Sequence, residues 1–202
     1  QMVFRETGWV EKFVEIDVNG SFRLCEKTAE NDGKKLLPTL LVPPKLGDHL
    51  EVSPEQKEFM QRIIKIIRKQ SGSALFLDYG FKHLVAGDTL QSVKNHAFCN
   101  MLEHPGEVDI TTHVNFAMIT AYIMEENMTV HGPVSQGDFL SRLGIEVRAD
   151  QLTRIANRSQ SEEIKQALKR LTGQDTKAGE MGALFKAIAF SHDPSINLAG
   201  FS

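Results

Sequence analysis

Two short stretches of this 202-residue chain hold residue types able to handle a polar ligand. The first is SALFLDYG, residues 73–80, where four apolar residues run into Asp78, Tyr79 and Gly80. In an open α/β sheet ligands bind beyond the carboxyl ends of the strands, so an acid placed there can orient a polar group at the crevice mouth. The same residues also suit a plain strand exit, with Asp78 bonding loop amides and Gly80 supplying a left-handed turn. The second stretch is HPGEVDITTHVNF, residues 104–116. Pro105-Gly106 forces a turn, and Asp109, Thr111, Thr112, His113 and Asn115 crowd in behind it. Such density ahead of a helix start fits a ligand loop or an ordinary capping region.

Other candidates are weaker. His96, Cys99 and His104 match no common zinc spacing and lack a second cysteine nearby, so no metal site is expected. His131, ahead of Gly132-Pro133, reads as a strand end. The glycines of GEMGA, Gly179 and Gly182, suit close packing at the entrance to a strand. The chain has no GxSxG, P-loop or GxGxxG motif.

The elements that must position these residues follow from periodicity. Alternation over WVEKFVEIDVNGSFRLC, with Asn19-Gly20 between two β-rich runs, predicts a hairpin with a type I′ turn. Residues 27–37 read as a solvated loop. Prolines 38, 43 and 44 exclude a long helix and a central strand behind it. From Ser53, with Pro54 at the first helical position and Gln56 completing a capping box, Phe59, Met60, Ile63, Ile64 and Ile67 recur at helical spacing. Gly72 ends that helix, and SALFLDYG follows as an apolar run without alternation, expected to be buried on both faces as in a parallel sheet. Residues 81–113 read as irregular. Asn115 is placed to cap a helix over 116–126, MTVHGPV reads as a strand, and SQGDFLSRLGI reads as a helix stopped by Gly144. Ser159 and Glu162 suggest a capping box ahead of the stripe Ile164, Leu168, Leu171. MGALFKAIAFSH reads as a last buried strand.

Bulk properties set limits. Apolar residues make up 41%, charged residues 24%, and the net charge of -3 argues against a nucleic-acid surface or an anionic membrane. No apolar run approaches the roughly 20 residues of a bilayer helix. Two cysteines, Cys25 and Cys99, fit a reducing compartment. The start at Gln1, almost directly in a strand pattern, reads as a piece of a longer protein or a mature form without its front.

Six blocks in order, EVSPEQKEFMQRI, GSALFLDYG, DTLQSVKNH, PGEVDITTHVNF, FLSRLGI and MGALFKAIAF, resemble the MidA-type family of S-adenosylmethionine-dependent methyltransferases, the mitochondrial complex I assembly family with bacterial relatives. The resemblance implies an α/β fold, the class I methyltransferase (Rossmann-like) sheet, mostly parallel with one antiparallel strand. Residues 1–202 would be the C-terminal part of a single methyltransferase domain. SALFLDYG would be its fifth strand, MTVHGPV its sixth and MGALFKAIAF its antiparallel seventh. The hairpin at 9–25 and the helical stretch near 148–172 would be insertions.

The resemblance also implies a function: transfer of a methyl group from S-adenosylmethionine to an arginine of a protein substrate, a complex I subunit. The setting would be the mitochondrial matrix, or the cytoplasm for a bacterial relative. A guanidinium nitrogen would attack the sulfonium methyl carbon in line, with positioning supplying much of the effect. The family's glycine-rich cofactor loop would lie before Gln1. The cofactor would then be held only in the full-length protein, with no cofactor-binding residue here, and this chain alone would be inactive. Asp78, Tyr79, Gly80, Asp109 and Thr111 match the family pattern and are the substrate-binding candidates; no catalytic residue is assigned. Asp78 and Asp109 would serve as rim carboxylates, which pair bidentately with guanidinium. Gln91, His113 and Asn115 stand where the family often has an arginine and two carboxylates. That departure keeps open a non-catalytic assembly or binding module on the same scaffold. A hydrolase-like fragment is disfavoured by the missing nucleophile elbow.

Overall fold

The computed structural model describes residues 1–29, 43–83, 87–95 and 97–202. In chain order the first elements are β1 (Met2–Arg5), β2 (Gly8–Ile16), β3 (Phe22–Thr28), β4 (His49–Leu50), α1 (Pro54–Gln70) and β5 (Ser73–Phe81). Next come β6 (Gln91–Lys94), β7 (Ala97–Phe98), β8 (Asp109–Thr111), β9 (Val114–Asn115) and α2 (Phe116–Glu125). The last are β10 (Thr129–Ser135), α3 (Gln136–Arg142), α4 (Ile145–Ile155), α5 (Arg158–Thr172), a 3₁₀ turn (Thr176–Ala178) and β11 (Phe185–Ser191). They form two compact units, residues 1–54 with 84–113, and residues 55–83 with 114–202.

The first unit contains a four-stranded sheet in the order β3-β2-β1-β4, antiparallel throughout. The hairpin expected over 9–25 is present as β2 and β3, paired from Val10↔Thr28 to Ile16↔Phe22. Its turn differs from type I′, because Gly20 has positive φ (+81°) while Asn19 does not. The Asp17 carbonyl accepts from Gly20 N–H, and the Asp17 carboxylate accepts from the amides of Asn19 and Ser21. One glycine at the turn exit then restores the strand twist without two left-handed residues. Lys27 and Thr28 belong to β3, and the rest of the loop expected over 27–37 lies largely outside the described residues. β4 is an edge strand, as prolines just ahead of it require. Met2 and Leu50 (each 1% exposed) and Ala29 form a small core with Trp9 and Val52 against it.

The expectation of irregular structure over 81–113 is corrected by a second sheet of this unit, ordered β7-β6-β8. Its strands have two to four residues. That is too short for a period-2 pattern to declare itself in sequence.

In the second unit the strand order is β10-β11-β5-β9, with β11 antiparallel to both neighbours and β5 parallel to β9. An antiparallel strand lodged between two parallel ones is the arrangement expected of the class I methyltransferase sheet. β11 is the buried strand the sequence suggests, with Ala187, Ile188, Ala189, Phe190 and Ser191 at most 1% exposed. One face of this sheet meets α1 and α2. There Met60, Ile64, Phe116, Ile119, Ile123, Met128, Ile188 and Phe190 form the main core, with Ala74 and Phe76 partly buried against it. The helical stripe is therefore right for Met60 and Ile64, while Phe59 remains 51% exposed.

Burial of β5 on both faces is not observed. Leu75 is 48% and Leu77 is 42% exposed. They point away from α1 and α2, toward a face on which Phe139 and the segment Leu198–Phe201 reach only the Ser73–Leu75 end, around a cavity of about 160 Å³. An unbroken apolar run shows that neither face needs to be polar. It does not show that both are covered.

Local signals set most of the helix starts. Asn115 caps α2 through its Oδ1, which accepts from Met118 N–H at 3.1 Å. Ser135 caps α3 in the same way through Asp138 N–H, and Gly144 follows with φ +83°. The capping box of α5 lies two residues earlier than Ser159 and Glu162 suggest. Asn157 and Gln160 exchange both bonds at 3.0 Å, since a short amide side chain caps as well as a hydroxyl. His131 lies inside β10 rather than at its end, and the strand resumes at Val134 after a bulge. At an edge strand a bulge accommodates Pro133 without losing a ladder bond.

Candidate functional site

The carboxyl end of β5 is where the sheet presents polar residues. Asp78 pairs across the sheet with Lys186, and Tyr79 pairs with Phe185. Successive strand residues point to opposite faces. Asp78 therefore shares the face of Phe76, while Tyr79 shares the face of Leu77 and stands edge-on to Phe185, ring centroids 5.6 Å apart. The half-buried Asp78 carboxylate accepts from the Tyr79 amide through Oδ1 at 2.8 Å, and Oδ2 has no partner among the described residues.

Gly80 does not make the left-handed turn of the plain reading. It continues β5 to Phe81 without positive φ. Its N–H donates to the Leu184 carbonyl at 3.2 Å, and its missing side chain lets the Val114 carbonyl approach. A Cβ there would lie 2.1 Å from that oxygen.

Lys186 is the residue at this end that periodicity missed. Its amine donates to the carbonyls of Ala183 (2.5 Å) and Leu184 (3.0 Å). Burial pushes its pKa below the ordinary lysine value, and the charge of Lys82 adds to this. One sequence signal was available: Lys186 is the single charge in GALFKAIAF. In the same region Gly182 packs against backbone, since a Cβ would lie 2.2 Å from the Thr172 carbonyl. This is the close-packing role expected of Gly182, whereas Gly179 has open space where a Cβ would lie and instead ends the 3₁₀ turn with φ +79°.

Asp109 and Thr111 are in the first unit, on β8, opposite Val93 and Gln91. They share one face of that strand. Asp78, Tyr79 and Gly80 are in the second unit, so the five candidates divide between the two. The segment after β8 is anchored by residues that no local pattern singles out. His113 N–H donates to Thr89 Oγ1 at 2.9 Å. The Thr89 hydroxyl and amide in turn donate to the Glu51 carboxylate. His96 lies outside the described residues, and among those described no three His, Cys, Asp or Glu side chains gather to hold a metal ion.

Asp88 belongs to the same polar network, accepting from Gln1 (2.6 Å) and Lys12 (3.1 Å) with His49 at 3.6 Å. Partial burial raises its pKa, but the bonds from Gln1 and Lys12 and the charges of Lys12 and His49 outweigh it and hold the carboxyl below its ordinary 3.8. A depressed folded-state pKa contributes stability above the unfolded value and loses it as pH falls through the folded one. Asp88→Asn is therefore expected to lower the first unit's denaturation midpoint at about pH 6, the difference narrowing as the pH falls below the ordinary carboxylate value. Trp9, the only tryptophan, lies in that unit and reports the transition by fluorescence.

Both strand-to-helix turns of the second unit, before α2 and before α3, are closed by their own capping side chains. Gly137, beside the second, faces the Thr172 carbonyl 2.6 Å from where its Cβ would be. Among the described residues no helix is long and apolar enough to cross a membrane.

Comparison with known proteins gives the family. Residues 1–134 match the family model for S-adenosyl-L-methionine-dependent methyltransferases. A Caenorhabditis elegans protein named protein arginine methyltransferase NDUFAF7 homolog, mitochondrial, is 29% identical over 92% of this chain and 43% of its own length. The Drosophila melanogaster protein of the same name is 32% identical over 80% of this chain and 37% of its own. The chain thus spans less than half the length of these relatives. A crystal structure from Burkholderia thailandensis, 26% identical, matches with TM-score 0.84 over 100% of this chain and 54% of that one. A second from that organism, bound to S-adenosyl-homocysteine, is 24% identical with TM-score 0.75 over 98% of this chain and 51% of that one, a likeness of fold. Sheet order and family match agree, and the chain belongs to the S-adenosyl-L-methionine-dependent methyltransferases.

Proposed function

We propose that this chain is part of a protein arginine methyltransferase that modifies a complex I subunit and supports mitochondrial complex I assembly. The carrying observation is the family match over residues 1–134, joined to relatives whose names specify arginine methylation in mitochondria. The substrate is a protein, and the compartment is the mitochondrial matrix, or the cytoplasm in a bacterial relative. Residues 1–202 act as one part of the methyltransferase domain. S-adenosyl-L-methionine supplies the methyl group and is held by residues outside this chain.

Within the chain, Asp78 orients the incoming guanidinium. Its Oδ1 is held by the Tyr79 amide, which leaves Oδ2 to accept from a substrate N–H. Tyr79, braced by Phe185, contacts the substrate from the opposite face of β5, and Gly80 lets β9 approach. Asp109 and Thr111, on one face of β8, are the substrate-binding residues of the first unit. The alternative, a non-catalytic assembly module, is favoured by His113 and Asn115 in place of carboxylates.

The test is calorimetric titration of S-adenosyl-L-methionine into the full-length protein, followed by methyl incorporation into a subunit peptide. Binding with incorporation is expected. Asp78→Asn should lower kcat/KM about tenfold, the scale of one charge-assisted bond, with cofactor affinity unchanged. Neither binding nor incorporation would leave the module reading.

A further inference from the structure

We propose that two copies of this chain associate through α5, packed antiparallel about a two-fold axis passing between Gln166 and Ala167. The helix runs fifteen residues without a buried one. Its apolar stripe, Ile164, Leu168 and Leu171, is half-buried against α3 and α4, and the strip beside it has no cover among the described residues. At the elbow of α4 and α5 lies an open groove of about 560 Å³, floored by Leu152, Ile155, Ile164 and Ala167. Ile155 is 85% exposed.

Charge names the occupant. Glu163, Ala167 and Arg170 recur at three- and four-residue spacing along one strip of α5. Glu163 accepts only a long bond from Ser159, 3.4 Å, and the Arg170 side chain has no partner among the described residues. A uniformly basic helix would meet Arg170, and a uniformly acidic one would meet Glu163. A helix carrying both charges in reversed order satisfies both positions, and α5 run antiparallel to itself is such a helix. About that axis Glu163 faces Arg170 of the second copy, and the symmetry repeats the pair. A parallel pairing would set Glu163 on Glu163, which repels. Opposed helix dipoles also favour the antiparallel arrangement. Ala167 beside the axis permits close approach, and covering the groove removes apolar surface from water at both ends of the contact.

Sedimentation velocity of the chain at about 50 μM, a concentration that detects micromolar association, tests this. The wild type is expected at the mass of two chains. Glu163→Arg and Arg170→Glu, each on an exposed position, are expected to run as single chains with unchanged circular dichroism. An equimolar mixture of the two variants is expected to regain the two-chain mass, because each supplies the charge the other lacks. The proposal is overturned by a wild type that stays single, by single variants that stay paired, or by a mixture that does not pair.

Discussion

Replacing Gly80 with alanine is expected to destabilise the second unit by about 3 kcal/mol or more. The new Cβ would sit 2.1 Å from the Val114 carbonyl oxygen and 2.9 Å from Cε2 of Phe116. The oxygen is backbone, so no rotamer change relieves the contact. Phe116 is fully buried in the main core, so its ring has nowhere to move. Relief requires β9 to leave β5, which breaks the Gly80↔Val114 and Phe81↔Asn115 pairing and carries away the residue that caps α2. Urea denaturation followed by far-ultraviolet circular dichroism measures the loss, since α2 to α5 and all of α1 beyond Pro54 belong to this unit. Gly87→Ala is the contrasting case. Its Cβ would meet nothing within 4 Å and its φ is not positive, so a change within about 0.5 kcal/mol is expected.

Truncating Phe190 to alanine is expected to cost about 4 kcal/mol. Its side chain is 0% exposed on the central strand, stacked on Phe76 with ring centroids 6.2 Å apart. It belongs to a cluster assembled from α1, α2, β5 and β11. Removing it takes apolar contacts from several elements at once and leaves a cavity that rigid strands on both sides of β11 cannot close. Phe59→Ala, in the stripe read from the same periodicity, is expected to cost about 1 kcal/mol. Phe59 is 51% exposed and loses chiefly an edge contact with Phe76. The same denaturation experiment ranks the two. Equal losses would mean that the helix seats differently on the sheet.

These cases show why parts of the molecule were legible in sequence and parts were not. Asn115 and Gly144 carry their structural roles in their own chemistry, within one helical turn, and were read correctly, and the Ser135 cap is equally local. The β2–β3 hairpin was visible for the same reason, although the geometry of its turn depended on Asp17, whose carboxylate caps the turn amides. The strands β6, β7 and β8 were not visible, because each is held by partners up to twenty residues away and is too short to show a period. Asn157 was passed over for Ser159 because both are good caps, and only packing chooses between them.

The candidate site divides in the same way. Asp78, Tyr79 and Gly80 were found because an apolar run ends at them. That Asp78 and Tyr79 lie on opposite faces follows from the pleat once β5 is seen to continue through Phe81. Lys186 joins Asp78 only because β11 runs antiparallel beside β5. Glu51 and Thr89, which anchor the segment after β8, are joined across 38 residues of chain.

By itself the sequence determined the starts of α1, α2 and α3, the apolar strands β5 and β11, and the family likeness, because those are written in local spacing and residue type. The tertiary structure alone decided that one face of β5 leaves Leu75 and Leu77 in solvent, that Gly80 is needed for Val114 rather than for a turn, and that Asp109 and Thr111 belong to a different unit from Asp78. Each of these depends on which distant segment lies alongside, and a periodicity carries no record of its neighbour.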